Sequence, residues 1–199
     1  MKKIKTYSIL LAMLISIIFN WRTAYAEEIT DYDSETISSE SSAEDPELID
    51  AKLISTETYK EGRKIITETV YEQSDGTIII DKLTVGTNLL RSAKGTDSAT
   101  RTRTIENFGT ISITAKFSWY TEGAFSYVKC TSMSATKSAN SGVICDKWDT
   151  SYTSEYVSLG KATAQVTYQF HRKDNPANFK KGTFKITCTD DGTISDGGW

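Results

Sequence analysis

The stretch that decides the fold is Thr110–Tyr120, TISITAKFSWY. Its apolar residues fall on every second position, at Ile111, Ile113, Ala115, Phe117 and Trp119, with Ser112, Thr114, Lys116 and Ser118 between them. A period of two marks a strand with one face on a core and one in water; a helix repeats its apolar residues every 3.6 positions. The phase also sorts the rings. Trp119 turns inward with Phe117, and Tyr120 turns outward.

The pattern recurs downstream. Ala162, Ala164, Val166, Tyr168 and Phe170 alternate against Thr163, Gln165, Thr167, Gln169 and His171, and Phe184, Ile186 and Cys188 against Lys185, Thr187 and Thr189. Glycines at 109, 123, 142, 160, 182 and 192 punctuate these runs. Upstream, residues 51–59, 64–72 and 77–85 are rich in Ile, Thr, Val and Tyr. Glu61-Gly62 and Ser74-Asp75-Gly76 supply the turns between them. Short strands with frequent turns predict an all-β, antiparallel protein. The expected architecture is an Ig-like β-sandwich body over 98–199, preceded by a short β-meander over 47–90. Cys130, Trp148 and Cys188 resemble the immunoglobulin Cys–Trp–Cys pattern. Ile186, not Tyr, stands two before Cys188, so the architecture is kept and the family is not.

The first 26 residues carry an address. Lys2, Lys3 and Lys5 precede an apolar run from Tyr7 to Phe19, and Ala24-Tyr25-Ala26 forms a cleavage box. The run is short for a membrane span, which needs about 20 residues. A secretory signal cleaved after Ala26 and an extracellular location are expected, with no stable membrane anchor afterwards. Loss of Lys2, Lys3, Lys5 and Arg22 leaves 19 basic residues against 26 acidic ones. Ten of the acids lie between Glu27 and Asp50, where there is no base. Residues 27–46 are therefore expected to be a disordered acidic leader on a mildly basic body. That balance argues against nucleic acid, whose binding rests on clustered Lys and Arg.

The layout resembles a diffuse group of small secreted β-rich proteins of Gram-positive bacteria. The residues that carry the likeness are YEQSDGTIIIDKLTV (Tyr71 to Val85), ATRTRT (Ala99 to Thr104) and FKITCTDDGTIS (Phe184 to Ser195). The likeness implies a secreted β protein and brings no activity with it.

Few residues suggest chemistry. Outside the cell a cysteine pair is normally oxidised. Cys130 and Cys145, read as two arms of one hairpin about Lys137–Ser138, are the favoured disulfide, with Cys188 the alternative partner. One histidine and no C-x2-C spacing give no expectation of a metal or cofactor. His171 is expected at an exposed strand end, and Cys188 points inward. Asp190, Asp191 and Asp196 lack the spacing of a calcium loop, and a Gly turn leading into a last short strand is the preferred reading. Glu122 with Glu155, and Asp146 with Asp149, are the acid pairs weighed for glycoside hydrolysis. Arg101 and Arg103, alternating with Thr100, Thr102 and Thr104, are expected on a solvated strand face. With Lys116 they offer a basic strip for an anionic polymer. Tyr120, Trp148 and Trp199 are the candidate stacking rings. The expected function is a non-enzymatic binding or structural module at the cell surface, with cell-wall polymer or glycan as partner. The alternatives are a carbohydrate-binding module using exposed aromatics and a secreted toxin or bacteriocin-like effector.

Overall fold

A computed structural model describes residues 48, 50–86 and 93–196. The signal segment, the leader and Trp199 lie outside the described residues. Eleven strands are described: β1 (Lys52–Glu61), β2 (Lys64–Glu72), β3 (Ile78–Gly86), β4 (Lys94–Ile105), β5 (Gly109–Glu122), β6 (Phe125–Ala139), β7 (Val143–Tyr152), β8 (Val157–Ser158), β9 (Lys161–Arg172), β10 (Phe179–Thr189) and β11 (Ile194–Ser195). They form two antiparallel sheets, one of seven strands in the order β1-β2-β3-β4-β5-β6-β8 and one of four in the order β11-β10-β9-β7. The larger sheet is a meander through β6, not the Greek-key order of an immunoglobulin domain. It also runs unbroken from the upstream meander into the body, because β3 pairs with β4 from Ile79↔Ile105 to Val85↔Ala99.

The alternation read in Thr110–Tyr120 places the core. Ile111, Ile113, Ala115, Phe117 and Trp119 of β5 are buried and meet Ala162, Ala164, Val166, Tyr168 and Phe170 of β9 and Phe184, Ile186 and Cys188 of β10 in one cluster. A large buried apolar side chain stabilises by roughly 1.5–3 kcal/mol, so this interlayer cluster is the main adhesive of the two sheets. Trp119 fixes one end. Gly95 faces it on β4 and Gly192 approaches it from the turn before β11. A Cβ at either position would press into the indole, and Gly192 also sits at φ +85°, where a side chain is strained.

Two expectations are overturned. Cys130 and Cys145 do not lie on a hairpin. β6 continues through Lys137–Ser138 to Ala139 and pairs with β5, and β7 crosses to the other sheet and pairs with β9. The turn falls at Asn140–Gly142, where Val143 N–H donates to Asn140 O at 3.0 Å. No disulfide joins Cys130, Cys145 or Cys188 in this structure.

Arg101 and Arg103 are also misplaced by the sequence reading: they point into the core. β4 lies between β3 and β5, and Ala99, Arg101, Arg103 and Ile105 form its inward row. Asp81 of β3 holds both guanidinium groups. Arg101 Nη2 donates to Asp81 Oδ2 at 2.6 Å, and Arg103 donates from Nε to Oδ1 at 2.7 Å and from Nη2 to Oδ2 at 2.8 Å. Phe184 lies under both cations, 4.5 Å from Arg101 and 5.1 Å from Arg103. Buried charges persist only when paired and hydrogen-bonded in this way.

Candidate functional site

Tyr120 is where its phase put it, on the outer face of the larger sheet. It does not stand alone. Tyr120 pairs with Tyr127 across β5 and β6, and the two rings stack with centroids 4.9 Å apart and an angle of 17°. Tyr156, just before β8, meets Tyr120 edge-on at 4.9 Å. Its hydroxyl lies 3.3 Å from Ser118 Oγ, and the Lys129 ammonium sits 4.3 Å over its ring. Strand pairing explains the assembly. Val128 pairs with Val157, which sets Tyr156 beside the row of Tyr127 and Lys129. Desolvation by these neighbours, then the charges of Tyr127 and Glu122, pushes the Tyr120 hydroxyl above its ordinary value. Tyr156 remains 39% exposed, so one ring is open to a ligand at its edge and the others form a packed base beneath it.

The same face continues as rows of hydroxyls. Thr100 pairs with Thr114 at 3.0 Å, Thr102 with Ser112 at 3.1 Å and Thr104 with Thr110 at 3.3 Å, while Ser134, Thr136 and Ser138 of β6 extend the rows. Strands about 4.8 Å apart and alternate residues about 6.8 Å apart make this a regular polar lattice on the face that carries the tyrosines.

The other candidates do not join this face. Trp148 lies in register with Tyr168, half-buried against the core edge, with Lys137 Nζ 4.9 Å over its ring. It therefore faces between the layers. Trp199 falls outside the described residues. Lys116 is exposed on the outer row of β5, separated from Arg101 and Arg103 by the thickness of the sheet. His171, one residue before the end of β9, places Nδ1 3.3 Å from Asp146 Oδ2. Asp191 closes the turn before β11 by accepting Thr193 N–H at 2.9 Å. Burial, then Asp191, Asp97 and Cys130, pushes the Cys188 thiol up to about 12.

One cavity opens beside the buried triad. It has a volume of about 230 Å³ and is lined by residues of β2, β3, β4 and β11 together with Asp196, among them Asp81 and Arg101. Arg101 Nη1 donates there to two backbone carbonyls, Lys185 O at 2.8 Å and Asp196 O at 2.6 Å. Burial opposes the charge on Asp81, but Arg103 and Arg101 outweigh it and hold the carboxyl at about 2. The triad thus ties β3 and β4 to β10 and to Asp196, the residue that follows β11.

The sequence marked Tyr120 and missed Tyr127 and Tyr156. Their signal is tertiary, because Tyr156 reaches the cluster only through the β6–β8 pairing. Comparison with family models, with curated proteins and with solved structures finds no match to this chain.

Proposed function

We propose that the protein is a secreted, non-enzymatic module that binds a sugar polymer at or near the cell surface through the outer face of its larger sheet. The observation that carries the reading is the Tyr120–Tyr127–Tyr156 cluster on a solvent-facing strand row, where aromatic rings have no core to fill. The exposed edge of Tyr156 offers apolar contact to the C–H groups of a sugar, and the adjacent Lys129 offers a polar one. The hydroxyl rows alongside suit an extended chain over a single residue. Secretion rests on the signal segment read in residues 1–26. Cys188, buried and held protonated at neutral pH, does not serve as a nucleophile in this reading.

The test is retention on purified peptidoglycan, with and without its attached wall polymer, together with a glycan array. Tyr156→Ala and Tyr120→Ala should each weaken binding about tenfold, equivalent to about 1.4 kcal/mol. Tyr152→Ala, an exposed ring on the smaller sheet, should leave it unchanged. Absence of binding to every polymer, or binding indifferent to both cluster variants, would overturn the proposal.

A further inference from the structure

We infer that Cys130 and Cys188 are the two halves of a single inter-sheet disulfide, closed when the chain folds under oxidising conditions, and that Cys145 stays a free thiol. Cys130 lies on β6 of the larger sheet and Cys188 on β10 of the smaller one. Both side chains point inward, 1% and 0% exposed.

Backbone hydrogen bonds put them at the same level of the sandwich. Cys130 N–H donates to Thr153 O at 2.8 Å, and Thr153 N–H donates to Thr163 O at 2.8 Å. Thr163 adjoins Ala162, the residue directly opposite Cys188 on β9. Thr153 therefore stitches the two sheets together at the corner that holds both thiols. A second tie lies nearby. Trp119 pairs with Val128, two residues before Cys130, and packs on Gly192, four residues after Cys188. Each thiol now rests against a carbonyl of its own strand, Cys130 Sγ 3.2 Å from Ser132 O and Cys188 Sγ 3.4 Å from Thr189 O.

Cys145 is excluded by distance. It pairs with Phe170 on β9, eight residues along the strand from the Ala162 that faces Cys188. At about 3.4 Å per residue the separation is roughly 27 Å, and a bridge needs Cα atoms within about 7 Å. Because Cys130 shares the level of Cys188, the same distance separates it from Cys145.

Closure needs an oxidant carrying a disulfide of its own. The two thiols lose two protons and two electrons as the S–S bond forms, and the oxidant's disulfide is reduced to two thiols. Burial disfavours both thiolates in the folded protein, Cys188 most strongly, so the exchange belongs to the folding chain, before the core closes over it.

The test is to refold the full chain in oxidised and reduced glutathione, block free thiols with iodoacetamide, and map non-reduced tryptic peptides. The inference expects peptide 130–137 joined to peptide 186–199, with Cys145 alkylated in peptide 138–147. Any link through Cys145, or three alkylated thiols, would overturn it. Cys145→Ser, which leaves both buried thiols in place, should refold with no titratable thiol. Two titratable thiols in that variant would count equally against the bridge. Reduction of the bridged Cys145→Ser protein should lower Tm by roughly 10 °C. An unchanged Tm would show that the bond is not part of the native core.

Discussion

The β1–β2 and β4–β5 hairpins follow the same local rules and meet different fates. Both are antiparallel, both are rich in β-branched residues, and both carry threonine pairs across the strands, Thr58 to Thr67 in one and Thr100 to Thr114 in the other. All ten residues of β1 are exposed, including Leu53, Ile54 and Tyr59, while every second residue of β5 from Gly109 to Trp119 is buried. The difference lies in the second layer. β9 and β10 pack against β5 and β6, and β10 also against β4. The larger sheet has seven strands and its cover has four. A strand pattern states that a chain can pair; burial is granted by what lies across from it.

The contrast can be broken hardest at the buried triad. Asp81→Asn keeps the shape and removes the carboxylate that Arg101 and Arg103 share, taking that counter-charge from two buried guanidinium groups. Urea unfolding should show a loss of about 3–5 kcal/mol. The same residue sets the acid limit. Its carboxyl is held at about 2 when folded, against an unfolded value near 3.9, so its contribution is complete above about pH 4. That contribution, about 2–3 kcal/mol, is lost as pH falls toward 2. Asp75, also held at about 2, chiefly by its hydrogen bond from Lys180, is half exposed and adds less. Unfolding midpoints measured between pH 6 and 2.5 should fall steeply in the parent and much less in Asp81→Asn. Equal acid limbs would show that other carboxylates carry the effect.

A smaller break is available at the Trp119 end. Gly192→Ala adds a methyl against the indole at a positive φ and should cost about 1–3 kcal/mol in thermal unfolding. The smallest effect belongs to β1. Ile54→Thr, on an exposed strand, should change stability by no more than about 0.5 kcal/mol. A loss comparable to that of Gly192→Ala would mean that β1 is covered by something in solution, and the comparison between the hairpins would then have to be redrawn.

Period-two patterns made β5, β9 and β10 legible from sequence, and the meander strands were placed within two residues by their turns. Arg101 and Arg103 were read outward because a row of threonines and a row of arginines are both polar, so alternation gave no sign of which faced the core. Ala99 and Ile105, in phase with the arginines, were the available clue. Cys130 and Cys145 were paired wrongly because proximity in sequence does not say which sheet a strand joins.

By itself the sequence determined that the chain builds antiparallel strands, where most of them turn, and that Tyr120 and Trp119 face opposite ways. These follow from local backbone geometry and a repeat of two. Only the tertiary structure decided that Asp81 neutralises two buried arginines, that Tyr127 and Tyr156 gather around Tyr120, and that Cys130 and Cys188 share a corner of the core. Each of these joins residues from different strands, so its energy is set by packing between segments that no local pattern relates.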